Sequence, residues 1–158
     1  MPSAIKSNPS LVIAGCCSFV GALMHLVCIA GGADWYRWMG AGERIARQVE
    51  AGELMPVVLT LLISAFLCGW GLLAFSGAGL IRRLPLPLPL LVPGLWVITA
   101  VYLLRGVAGF VLPVLVDHPM VQQNSLAFWW TSSLVCCVFG GFYWHGTRQL
   151  QRLDPKLT

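Results

Sequence analysis

Charge is what this sequence has least of. Lys, Arg, Asp and Glu together make up 10% of its 158 residues, where soluble domains carry about 25%. A chain so poor in charge cannot cover a water-facing surface, which excludes an ordinary soluble domain of this length. Disorder is excluded from the other side, because 58% of the residues are apolar. The glycines follow no three-residue period and the six cysteines form no disulfide framework, so a collagen-like fibre and a secreted mini-protein drop out as well. The net charge of +4 comes from scattered basic residues rather than one basic face, so no nucleic-acid partner is expected. Phosphate-cradling glycine loops, a G-x-S-x-G elbow, an H-E-x-x-H pair and a dinucleotide fingerprint are all missing, as is any internal repeat. Catalysis, a metal and a cofactor are therefore not expected.

What the sequence has is apolar length. Four runs stand out, at about 11–30, 54–75, 89–115 and 126–144, with a mean hydropathy of +0.79 over the chain. A hydrocarbon core of ~30 Å takes about 20 helical residues, so each run predicts one membrane crossing. The runs are continuous, whereas outer-membrane barrel strands alternate over about ten residues. The expected fold is an all-α membrane protein, a four-transmembrane-helix bundle forming a single domain over 1–158. Lys6, Arg82, Arg83, Arg148, Arg152 and Lys156 fall on one side with only Asp154. Arg37, Arg44 and Arg47 fall on the other with Asp34, Glu43, Glu50, Glu53 and Asp117. The positive-inside rule then places both termini in the cytoplasm. Lys6 and Ile13-Ala14-Gly15-Cys16 look like a lipoprotein signal, but too few apolar residues precede Cys16 for an h-region. An uncleaved first helix fits better.

Between the first two runs, Trp38, Ala41, Ile45 and Val49 recur at helical spacing among charged residues, which predicts an amphipathic interfacial helix over about 38–52. Trp35, Tyr36 and Trp38 suit headgroup depth and form a candidate partner surface. This segment reads either as an anchor for the first two spans or as a lid or docking surface. Arg82-Arg83-Leu84-Pro85-Leu86-Pro87-Leu88-Pro89 has proline at every second place and reads as a stiff extended spacer. The tail over 146–158 is basic and is expected to extend the last helix before fraying near Asp154-Pro155.

Candidate chemistry is sparse. Cys16, Cys17, Cys28, Cys68, Cys136 and Cys137 all fall inside predicted spans without a C-x-x-C pair, and read as packing residues. His25 and His145 lie near opposite faces and cannot bind one haem between them, while His118 is in a loop. Arg105 is the strongest signal, because an unpaired arginine within a span costs at least ~2.5–3.5 kcal/mol. Glu53, then Glu43, is the expected carboxylate partner. With Tyr102 one turn away and His25 in the same half of the membrane, a polar cluster of His25, Tyr102, Arg105, Glu53 and Glu43 is expected. It reads either as a buried ion pair or as a pocket for a polar-headed ligand. Gly69, Gly71, Gly106, Gly109, Gly140 and Gly141 would let helices approach closely.

The stretch from His25 to Arg44, H-L-x-x-I-A-G-G-A-D-W-Y-R-W-M-G-A-G-E-R, with Y-x-x-R-G around Arg105, resembles small four-span inner-membrane proteins of Gram-negative bacteria. The resemblance implies a bacterial cytoplasmic membrane and no particular activity. Size and architecture are also similar to membrane-embedded immunity proteins that neutralise pore-forming toxins. Two functions follow as expectations. One is an interaction subunit, accessory or toxin-neutralising, with membrane lipids, a membrane or periplasmic protein, or a second copy as partner. The other is a lipid- or quinone-binding transporter or enzyme built on His25, Tyr102 and Arg105.

Overall fold

The computed structural model describes residues 8–81 and 88–153. These residues are helical throughout apart from short turns: α1 (Pro9–Gly31), α2 (Ala33–Trp38), α3 (Glu43–Glu50), α4 (Met55–Gly77), α5 (Leu88–Leu115), α6 (Pro119–Gln122) and α7 (Leu126–Leu153). Four of them, α1, α4, α5 and α7, are long and apolar enough to cross a membrane. Each packs on its neighbours in the order α1, α4, α5, α7 and back to α1, with the α1–α4 and α5–α7 pairs closest. The result is an up-down four-helix bundle.

The faces of the helices are sorted as lipid demands. Leu11, Ala14, Gly15, Ser18 and Ala22 of α1 point inward, as do Thr60, Ser64, Leu67, Gly71 and Ala74 of α4. Large apolar side chains such as Phe66, Val97 and Leu104 point outward, each more than 60% exposed. In lipid, apolar area gains nothing by leaving hydrocarbon, so helices associate through small side chains that bring backbones together. Gly71 packs on Phe19, Gly106 on the Ser133 carbonyl and Cys137, Gly109 on Ser133, and Gly140 on Leu103. Gly69 and Gly141, expected in the same role, face open space.

The start of α1 meets α7 at Gly146, which puts the start of α1 and the end of α7 on one face. Asn8 caps α1, its Oδ1 accepting from the Leu11 amide (3.2 Å). Its Nδ2 donates to the Gly146 carbonyl (2.7 Å), and the side chain is buried. One residue thus ends a helix and fastens it to another. We call this the terminal end and the opposite face the loop end. Of the proline-rich connector expected over 82–89, residues 82–87 lie outside the described residues, as do Lys6 and 154–158, while Leu88 and Pro89 already belong to α5.

At the loop end, two short helices replace the single one expected over 38–52. Gly40 (φ 80°) and Gly42 (φ 88°) interrupt it, since only glycine takes this left-handed backbone without strain. A side chain at Gly40 would enter the Phe128 ring, and one at Gly42 would meet Gln123. Asn124 Nδ2 donates to the Gly40 carbonyl (3.0 Å), tying this turn to the start of α7. Periodicity alone carried through two glycines whose role is to let α7 come close.

Candidate functional site

The middle of the bundle holds a hydrogen-bond chain that touches every spanning helix. Tyr143 Oη lies 3.0 Å from the Trp70 carbonyl and 2.8 Å from Ser18 Oγ, and Ser18 Oγ lies 3.2 Å from Tyr102 Oη. A carbonyl only accepts and each hydroxyl has one proton, which fixes the direction. Tyr102 donates to Ser18, Ser18 to Tyr143, and Tyr143 to Trp70. Tyr102 stacks on Tyr143 at 5.7 Å between centroids and meets Trp70 and Phe139 edge-on. Ser18 and Tyr143 are fully buried. Ser18, on α1, and Tyr143, on α7, did not figure among the expected site residues. A lone serine or tyrosine within a span signals little until its partner on another helix is known.

Beyond this chain, toward the loop end, a cavity of about 630 Å³ opens between α1 and α7. Val20, Met24 and His25 form one wall, and Ala127 to Phe139 the other. Tyr102 and Leu67 line its inner part, and Trp38 and Met39 line it from the loop end. His25 Nδ1 lies 2.8 Å from the Gly21 carbonyl of its own helix. That carbonyl can only accept, so Nδ1 carries a proton, and Nε2 has no hydrogen-bond partner among the described residues. Ser132, on the opposite wall, donates its own proton to the Trp129 carbonyl (3.0 Å).

Among the described residues Arg105 has no ion-pair partner. Its guanidinium lies over the Trp129 ring, 5.2 Å from the centroid, and Nη2 donates to Ser132 Oγ at 3.4 Å. Its neighbour Gly106 packs at the level of Ser133 and Cys137, so the side chain rises about one turn toward the loop end to reach Trp129. Snorkelling and a cation–π contact replace the expected carboxylate. The two carboxylates named for it are engaged elsewhere. Glu43 receives Arg37 (2.8 Å) and Arg47 (3.2 Å), and Glu53 accepts from Gln48 Nε2 (2.9 Å). Both acids belong to the α2–α3 side of the bundle, which packs on α1 and α4 and not on α5. The expected five-residue cluster therefore separates: His25 and Tyr102 line the cavity, Arg105 adjoins it through Ser132, and Glu43 and Glu53 take no part.

Arg37 holds α2 and α3 together, bonding Asp34 (3.0 Å), Glu43 and Glu50 (2.6 Å). These carboxylates, Glu43 first, hold its guanidinium above the ordinary arginine range. Arg37 and then Arg47 hold the Glu43 carboxyl down at about 2. Of the expected aromatic surface, Trp35 and Trp38 are exposed and meet edge-on at 5.7 Å. Tyr36 is buried instead, with its hydroxyl 2.9 Å from Thr60 Oγ1. The Thr60 and Tyr36 hydroxyls both reach the Pro56 carbonyl, at 2.7 and 3.4 Å, so Tyr36 pins α2 to α4.

The geometry defines an integral, four-span helical membrane protein with a membrane-depth cavity. Comparison with family models, with curated proteins and with solved structures gives no match to this chain.

Proposed function

We propose that this protein binds a membrane-dissolved amphiphile with a hydroxyl head, of the quinol or prenol kind, in the cavity between α1 and α7. The observation that carries the reading is the cavity itself. Its volume of about 630 Å³ lies within the ~300–1,000 Å³ of small-molecule sites. Its walls are mostly apolar side chains; of the polar ones, which include Tyr102, Thr131 and Ser132, His25 offers a ring nitrogen, Nε2, with no partner among the described residues. A ligand hydroxyl would donate to that nitrogen while its apolar body follows Val20, Leu67 and Phe139. Since the walls lie on spanning helices, such a ligand would enter sideways from lipid, under Trp38. The charge distribution favours cytoplasmic termini, and the resemblance a bacterial inner membrane, which would put the cavity in the outer half of the bilayer.

The test is retention of a short-chain hydroquinone by the purified full-length protein. Ala127→Trp should fill the cavity and abolish retention, and His25→Leu should weaken it about fivefold to tenfold, the loss of one hydrogen bond. Equal retention by the Ala127→Trp variant overturns the proposal. The exposed Trp35–Trp38 pair favours a second reading, a partner-binding or toxin-neutralising subunit. A stoichiometric protein copurifying from native membranes, lost on Trp35→Ser, would support that reading instead.

A further inference from the structure

A second candidate site lies at the other end of α7. The apolar part of this helix closes at Trp144, and the helix then continues to Leu153. Trp144, His145, Arg148, Gln149 and Arg152 line a concavity of about 330 Å³ there. Arg148 and Arg152 are four residues apart and so share one face, about one and two turns beyond Trp144, ~6 and ~12 Å along the axis. That is headgroup depth for a helix whose apolar part ends at Trp144. Arg148 is steadied over the Trp144 ring at 5.9 Å. Among the described residues the ion pairs all fall within the α2–α3 segment, so neither Arg148 nor Arg152 has a carboxylate partner. Within the same concavity Gln149 Oε1 is buried without a hydrogen-bond partner. His145 Nδ1 is engaged with Ser10 Oγ of α1 (2.9 Å), which fixes the back of the site.

Two unpaired guanidinia call for a phosphate, and an orphaned amide oxygen calls for a hydroxyl beside it. We propose that this concavity binds the headgroup of an anionic, hydroxyl-bearing phospholipid, of the phosphatidylglycerol class. Arg148 and Arg152 hold the phosphate, Gln149 accepts from the glycerol hydroxyl, and Trp144 packs on the first carbons of the acyl chains. The lipid is held at one place on the protein, beyond the diffuse attraction of a basic face for an anionic leaflet.

Native mass spectrometry of the full-length protein in detergent, with equimolar phosphatidylglycerol and phosphatidylcholine, tests this. Phosphatidylglycerol should be retained in at least tenfold preference. Arg148→Gln with Arg152→Gln should lower its retention about thirtyfold, from the roughly fivefold that each basic side chain contributes at an anionic headgroup. Both side chains are exposed, so the fold should survive. The double lysine variant, which keeps the charge, should recover most of the binding. Arg44→Gln, at the loop end, should change nothing. Gln149→Leu should narrow the preference for phosphatidylglycerol over phosphatidic acid, which has no glycerol hydroxyl. Equal retention of phosphatidylcholine, or unchanged retention by the double glutamine variant, overturns the proposal. So does displacement by millimolar inorganic phosphate, which would make free phosphate the ligand.

Discussion

The seam between α1 and α7 has two halves that behave differently. In the terminal half the helices touch: Leu11 fits over Gly146, Asn8 bonds the Gly146 carbonyl, and Ser18 bonds Tyr143. From Val20 onward the same two helices face each other across the cavity. The close half uses a glycine and the Ser18 and Tyr143 hydroxyls, each of whose protons has an acceptor. The open half sets Met24, His25, Phe128 and Val135 opposite one another, which are too bulky to let backbones meet. Polar groups at membrane depth thus do two jobs according to whether they find protein partners. Ser18 closes a bundle, whereas His25 Nε2 has no hydrogen-bond partner among the described residues.

The largest effect should come from emptying the close half. Tyr143→Ala removes a fully buried ring and the middle of the hydrogen-bond chain, and should cost about 3–5 kcal/mol in unfolding from mixed micelles. Gly146→Ala should cost about 1–3 kcal/mol, because the added carbon would sit 2.7 Å from Leu11 Cγ and 3.0 Å from its amide nitrogen. If that substitution is neutral, the seam is looser than described. Ser18→Ala leaves the Tyr102 hydroxyl without its acceptor and should cost about 1 kcal/mol, near the upper part of the range for hydrogen bonds within membranes. In the open half, Ala127→Leu adds bulk to empty space and should shift stability by less than about 0.5 kcal/mol. A large loss there would mean that the two halves are equally packed.

The smallest effect concerns the charged loop end. The Glu43 side chain is about half exposed, and its carboxyl is held down at about 2 by Arg37 and Arg47. A carboxyl with a depressed pKa stabilises the fold above its unfolded value, and loses that contribution as the pH falls toward the folded one. The α2–α3 tie should therefore be unchanged at pH 5 and loosen only between about 4 and 2. Carboxyl NMR should place the Glu43 midpoint near 2 in the intact protein and higher in Arg37→Gln. An unmoved midpoint would show that Arg47 alone suffices.

Four helices long and apolar enough to cross a membrane, and the position of the charged loop segment, followed from composition and run length. Burial of twenty apolar residues in hydrocarbon is a local, additive property, and no contact between helices is needed to sum it. The split of the interfacial segment at Gly40 and Gly42 was visible as two glycines but not as a break, because the cause is the approach of Phe128 from α7. The partner of Arg105 depended on tertiary structure for a similar reason. Cost per charge identifies a residue that needs company, but only the rotation and depth of α5 against α7 choose Trp129 and Ser132 over a carboxylate. Ser18 and Tyr143 lie 125 residues apart and become a hydrogen-bonded pair only when their helices meet. Solvent preference is written residue by residue along the chain, whereas packing and hydrogen bonding between helices belong to pairs, and the fold chooses the pairs.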